Sequence, residues 1–198
     1  MDLKAEKQAL RRQMRERVRT LSQGDAASAG SAAATRILAT REFERAPVVA
    51  LYAALAGEVD TRPLFEAALA AGKRVCAPRC RDDSRLEFAI FTDWEQLRPA
   101  RFGVLEPAAD ASLLELAAGD LVIVPGLAFD SHGGRLGRGA GYYDRAFPVG
   151  ASAAPTLFGL AFSFQVLAQL PRGCHDRGMD AVCTERMLMR GSPTQGEP

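Results

Sequence analysis

Apolar residues open the chain at helical spacing. Leu10, Met14, Val18 and Leu21 form one narrow stripe and predict a helix over the first twenty residues. Ser22 to Asp25 breaks that pattern, and an alanine-rich segment through Arg41 predicts a second helix. After Pro47 the period changes. Val48 to Tyr52 is a short continuous apolar run, the pattern of a strand buried on both faces. The turn Gly57-Glu58-Val59-Asp60 leads into a helix from about Thr61 to Ala71, with Pro63 in its first turn. Lys73 to Ala77 returns as a strand, and the alternating Leu86 to Phe91 reads as a strand nearer an edge. Thr92 to Ala118 carries no period. Leu121 to Pro125 is the clearest buried strand, and a glycine-rich loop and a helix around Tyr142 to Phe147 follow it. Thr156 to Ala161 and Asp180 to Thr184 are strand-like, and Ser163 is placed to cap a short helix running to Leu170.

Strands that alternate with helices and are apolar on both faces predict an α/β fold with a largely parallel sheet. In such sheets ligands gather where the chain leaves the carboxyl ends of the strands, so Gly57-Glu58 and Gly133 to Gly141 are expected to share one crevice. Residues 1–190 are read as one domain and 191–198 as a disordered tail.

Charge adds little. With 47% hydrophobic and 25% charged residues and a formal net charge of +1, the chain gives no general pull toward nucleic acid or a membrane. A charged opening in place of an apolar signal core, and no apolar run of about 18 residues, predict a cytoplasmic protein. Cys76, Cys80, Cys174 and Cys183 lack the spacing of a zinc knuckle or a disulfide framework. Locally the balance differs: seven basic residues stand against three acidic ones in the first twenty positions.

The strongest chemical signal is Gly133-Gly134-Arg135-Leu136-Gly137-Arg138-Gly139-Ala140-Gly141, followed by Tyr142-Tyr143-Asp144-Arg145. Five glycines in nine residues let a backbone approach a ligand closely, and N–H groups at a helix mouth make an anion cradle. Arg135 and Arg138 add donors suited to phosphate oxygens. The loop ends in no Gly-Lys-Ser/Thr, so it is not a Walker loop, and its alternating glycines do not make a dinucleotide fingerprint. A phosphorylated ligand, of nucleotide type, is expected. Asp144 is placed to hold magnesium against phosphate or to serve as a first-turn helix acid. Lys7 and Arg11, one turn apart, can hold phosphate or face solvent. Glu58 reads as a recognition carboxylate or a turn acid, and His175-Asp176 as a dyad or a structural pair. No Ser/His/Asp or Cys/His set is present, so the chemistry expected is positioning and phosphate electrostatics.

In order and spacing these segments resemble the 5-formyltetrahydrofolate cyclo-ligase (methenyltetrahydrofolate synthetase) family. The resemblance runs from Lys7-Gln-Ala-Leu-Arg11 through Gly57 to Thr61, Pro125 to Asp130, Gly134 to Arg145 and Gly159 to Phe162, ending at His175-Asp176. It implies a three-layer α/β/α sandwich. It also implies ATP-dependent conversion of 5-formyltetrahydrofolate to 5,10-methenyltetrahydrofolate, with release of ADP and phosphate, through an imidoyl phosphate and with Mg2+. On that resemblance Lys7, Arg11 and the run Arg135, Leu136, Gly137, Arg138, Gly139, Ala140, Gly141, Tyr142 and Tyr143 form the ATP site. Asp144 and Asp180 hold magnesium. Glu58 hydrogen-bonds the pterin, and Arg138 to Tyr142 border the formyl group, with Arg138 and Tyr142 catalytic. Ala140 departs from the Gly or Lys usual in the family and requires ordinary backbone torsions there. No nucleic acid, membrane or obligate protein partner is implied. Two alternatives are a non-catalytic nucleotide or folate binder, and an isomerase-like enzyme acting on another phosphorylated substrate.

Overall fold

A computed structural model describes residues 2–191. Its helices are α1 (Leu3–Arg19), α2 (Gln23–Leu38), α3 (Arg41–Arg45), α4 (Arg62–Ala70) and α5 (Tyr142–Ala146). Its strands are β1 (Val48–Ala50), β2 (Arg74–Cys80), β3 (Leu86–Ile90), β4 (Arg98–Pro99), β5 (Leu105–Glu106), β6 (Leu121–Pro125), β7 (Ala128–Asp130), β8 (Arg135–Leu136), β9 (Thr156–Leu160), β10 (Val166–Leu167), β11 (Ala181–Cys183) and β12 (Leu188–Arg190).

The main sheet has seven strands in the order β12-β11-β9-β6-β1-β2-β3. Its five central strands are parallel, and an antiparallel strand closes each edge. The apolar runs are continuous because each strand feeds two cores. Val49, Leu121, Ile123 and Phe158 face one side, against Ile37 of α2 and Leu64 and Phe65 of α4. Val48, Ala50, Val122, Val124 and Leu157 face the other, against Phe129, Phe147 and Met179. The α/β class with a largely parallel sheet is as expected from the pattern.

A smaller sheet, β10-β7-β8, extends past the end of β6. Helix α1 docks on it: Met14 is fully buried with Leu127, Leu136 and Leu170, and Leu10 packs alongside. The apolar stripe of the first helix is therefore what fixes Lys7 and Arg11 in space.

Three local expectations differ from the structure. The alanine-rich helix ends at Leu38, because Thr40 starts a new helix: its side-chain oxygen accepts from Phe43 N–H at 3.2 Å. Ser163 does not cap a helix to Leu170. It begins a single 3-10 turn, and Val166–Leu167 then pairs with β7. Gln165 imposes this by donating to the carbonyls of Gly126 and Leu127, which ties the segment to the end of β6. Strand β2 runs beyond Ala77 to Cys80 despite Pro78, since β1 pairs with it only as far as Cys76 and leaves that edge open. The tail positions 192–198 lie outside the described residues.

Candidate active site

The parallel strands β1, β2 and β6 end on one side of the sheet, and the segments leaving them enclose a cavity of about 520 Å³. Tyr52, Ala53, Leu55 and Glu58 follow β1, while Pro78 and Cys80 end β2 and Pro125 and Gly126 end β6. The glycine-rich segment from Arg135 to Asp144 closes one side, and Lys7 and Arg11 reach in from α1. The crevice expected at the carboxyl ends of the strands is thus formed, with both loops in it.

The turn that carries Glu58 depends on a glycine. Gly57 has φ +83°, and a Cβ on it would overlap Val18 Cγ1 of α1. The close approach packs α1 against the turn. Leu55 N–H donates to Glu58 Oε2 at 2.9 Å, and Arg138 donates to Oε1 from Nε at 3.0 Å and Nη2 at 2.8 Å. Glu58 is nearly buried, its side chain 9% exposed, whereas Arg138 is 43% exposed.

Arg11 Nε donates to the Gly137 carbonyl at 3.0 Å, which ties α1 to the glycine loop. Lys7 Nζ pairs with Asp176, which also accepts from Gly173 N–H at 2.6 Å. Burial raises the Asp176 carboxyl, but that bond and the Lys7 ammonium outweigh it and hold the group below the usual aspartate range. Asp176 therefore belongs with Lys7.

Arg135 is almost wholly buried and donates from Nη2 to both oxygens of Asp144, at 3.1 Å each. Its guanidinium also lies 5.4 Å from the centre of the Tyr143 ring. Asp144 accepts in addition from Arg177 N–H at 3.2 Å. Asp180 is not in the cavity. It precedes β11, at the opposite end of the parallel strands, where Oδ2 accepts from Leu157 N–H at 2.7 Å. Among the described residues no cluster of three His, Cys, Asp or Glu side chains is placed to hold a metal. A magnesium ion that shares phosphate oxygens needs only one or two carboxylates, and Asp144 on the cavity wall fits that requirement. Ala140 takes ordinary torsions: among the described residues only Ser84 and Phe102 have positive φ without being glycine.

The remaining wall has no counterpart among the residues singled out from sequence. Cys80, Phe102, Val104, Glu106 and Tyr52 line it. Phe102, φ +59° and 74% exposed, sits at the tip of the tight turn between β4 and β5. Such torsions are costly for a bulky residue. Burial and then the Glu106 carboxylate push the Cys80 thiol up to about 11, so it is a neutral wall group and not a nucleophile. Burial also raises Tyr143, and raises Tyr52 with help from Glu58, leaving both hydroxyls protonated.

A cavity with a glycine cradle, basic groups from a docked helix and a buried acid, but no nucleophile, suits positioned phosphate chemistry. The model of the 5-formyltetrahydrofolate cyclo-ligase family matches residues 3–185. The chain belongs to the 5-formyltetrahydrofolate cyclo-ligase family. It is an enzyme of the ligase class. It is similar to the 5-formyltetrahydrofolate cyclo-ligase of Escherichia coli K12, with 34% identity over 174 residues, 86% of this chain and 96% of that one. The mouse cyclo-ligase is 28% identical over 194 residues, covering 90% and 93%. The NMR structure of Aquifex aeolicus 5,10-methenyltetrahydrofolate synthetase superposes with TM-score 0.79 at 29% identity, over 97% of this chain and 95% of that one. The fold also matches a Mycoplasma pneumoniae synthetase at TM-score 0.72 and 22% identity, over 93% and 99%. The family expected from the motifs is the family found.

Proposed function

We propose that the chain converts 5-formyltetrahydrofolate and ATP to 5,10-methenyltetrahydrofolate, ADP and phosphate. The observation that carries this reading is the joining of three elements around one cavity: the basic face of α1, the glycine-rich segment and the Glu58 turn. Family membership supports it, since the relatives are named for that substrate.

In the proposed reaction the formyl oxygen attacks the γ-phosphorus and ADP leaves, giving an imidoyl phosphate. The neighbouring folate nitrogen then attacks the formyl carbon and phosphate leaves. The enzyme supplies no nucleophile, in keeping with the neutral Cys80 thiol and protonated tyrosines. Lys7, Arg11 and the N–H groups from Arg135 to Tyr143 bind the phosphates. Glu58 accepts from the pterin, and Arg138 exchanges Glu58 for the oxygens of the transferring group. Tyr142 borders the formyl group as a hydroxyl donor, its phenol raised by burial and then by Cys80. Asp144 would hold magnesium, which neutralises phosphate charge when bound. Arg135 orients Asp144 through its two hydrogen bonds.

The proposal places the reaction in the cytoplasm, where four free cysteines stay reduced. Among the described residues, no helix is long and apolar enough to cross a membrane. The test is ATP hydrolysis with and without 5-formyltetrahydrofolate, together with absorbance of the methenyl product. Hydrolysis that requires the folate supports the reading. Turnover indifferent to it, or none, leaves a nucleotide binder or an enzyme for another phosphorylated substrate.

A further inference from the structure

Glu106 lies on the cavity wall with no part in the proposed chemistry and no basic partner among the described residues, yet it is only 7% exposed. A carboxylate this deep is costly unless its oxygens are matched. One of them is: Cys80 N–H donates to Oε1 at 3.1 Å. That bond has a structural reason, because β2 has outrun β1 by Cys80 and its N–H needs an acceptor. The Cys80 thiol also bonds the carboxylate, but Oε2 has no N–H or O–H donor among the described residues, and the side chain lines the cavity together with the apolar Leu86, Phe102 and Val104.

The segment that delivers Glu106 is built to hold it there. Strands β4 and β5 pair, with Arg98 opposite Glu106, and Arg79 donates to the carbonyls of Ala108 and Ala109 just beyond it. Arg101 pairs with Asp82 at 2.9 Å, fastening the tip of the same hairpin to the loop after β2.

A fixed carboxylate oxygen on an apolar wall repels phosphate and selects a planar ligand that offers an N–H. The phosphate-binding groups come from α1 and the glycine-rich segment. Glu106 comes from neither, and it marks its wall for the uncharged heteroaromatic part of the substrates. Resting on the folate reading above, we infer that Glu106 is a specificity-determining residue whose Oε2 accepts an N–H of the substrate's pterin ring.

Glu106→Gln is the informative variant, because its amide oxygen can still accept from Cys80 N–H while its NH2 meets the ligand N–H as a second donor. The Michaelis constant for 5-formyltetrahydrofolate is expected to rise on the order of ten- to a hundredfold, the usual effect of losing a hydrogen bond to a charged group. The constant for ATP and the melting temperature should stay near the parent's. Equilibrium binding of 5-formyltetrahydrofolate to parent and variant, followed by protein fluorescence without ATP, reads the same contact when turnover is low. A variant that matches an active parent in folate affinity, or that loses ATP and folate affinity equally along with thermal stability, overturns the Glu106 assignment alone. A parent that neither turns over nor binds 5-formyltetrahydrofolate overturns the folate reading and the assignment with it.

Discussion

Arg138 places Nε and Nη2 on a single oxygen of Glu58, at 3.0 and 2.8 Å, across eighty residues of sequence. One group is cationic and half-exposed, the other anionic and nearly buried, and both face the cavity. Without ligand each neutralises the other. In the proposed reaction the arginine would gain a better partner in the transferring phosphoryl group, whose charge spreads over its oxygens in the transition state.

Arg138→Ala should therefore lower kcat by about a hundredfold, roughly 3 kcal/mol, with a smaller change in either Michaelis constant. Arg138→Lys should recover part of the rate, because a point charge cannot reproduce the planar fork. Steady-state kinetics with each substrate varied would decide it. A raised Michaelis constant with kcat intact would reduce Arg138 to a binding contact.

Lys7 should act on ATP. Lys7→Ala is expected to raise the ATP Michaelis constant by one to two orders of magnitude, since a charge-assisted phosphate contact is worth about 2 kcal/mol. Its partner gives an independent pH readout. The Asp176 carboxyl lies below its unfolded value of 3.8, so its stabilisation is complete above that pH and fades as pH falls through the lower folded value. Asp176→Asn should therefore lower stability modestly at neutral pH and flatten the acid limb below about pH 4, where parent and variant converge. An unchanged ATP constant in Lys7→Ala would count against the phosphate role.

Asp144 offers a cation one carboxylate, already aligned by Arg135 and Arg177 N–H. Asp144→Asn keeps an acceptor for the N–H but loses the charge a hard cation prefers. ATP turnover should then need higher magnesium, and the melting temperature should fall slightly because buried Arg135 loses its counter-charge. A magnesium titration matching the parent's would leave Asp144 a helix-start acid that positions Arg135.

Local pattern carried much of this architecture. Leu121 to Pro125 and Val48 to Ala50 are apolar at every position because both faces of the sheet are covered, and that shows in one dimension. The glycine-rich segment, Lys7, Arg11 and Glu58 were legible as candidates because torsional freedom and charge spacing are local properties. Glu106, Cys80 and Phe102 were not. They meet only because β5 folds over the end of β2, and the stretch from Thr92 to Ala118 has no period to announce that. Asp180 went astray for the same reason in reverse: its place at the amino end of β11, away from the cavity, is set by register with β9. Ser163 was misjudged because Gln165, two residues on, reaches across to the end of β6.

The contact of Gly57 with Val18 gives the last prediction, because it links α1 to the Glu58 turn. At φ +83° an alanine bears left-handed strain of about 1 kcal/mol, and its methyl would also overlap Val18 Cγ1. Gly57→Ala should cost about 2 kcal/mol or more, as overpacking adds to the torsional penalty. The kinetic consequence should be double. If α1 shifts, Lys7 and Arg11 move relative to the glycine loop, and if the turn shifts instead, Glu58 leaves Arg138. Either way the Michaelis constants for ATP and for 5-formyltetrahydrofolate should rise together, unlike the single rise expected from Lys7→Ala. Val18→Ala removes the overlapping methyl but leaves the torsion, so the double variant should regain part of the stability lost and most of the affinity. Thermal denaturation and both Michaelis constants across the four proteins of that cycle measure the coupling directly. Additive effects, with no rescue by Val18→Ala, would mean that the turn and α1 do not depend on this contact.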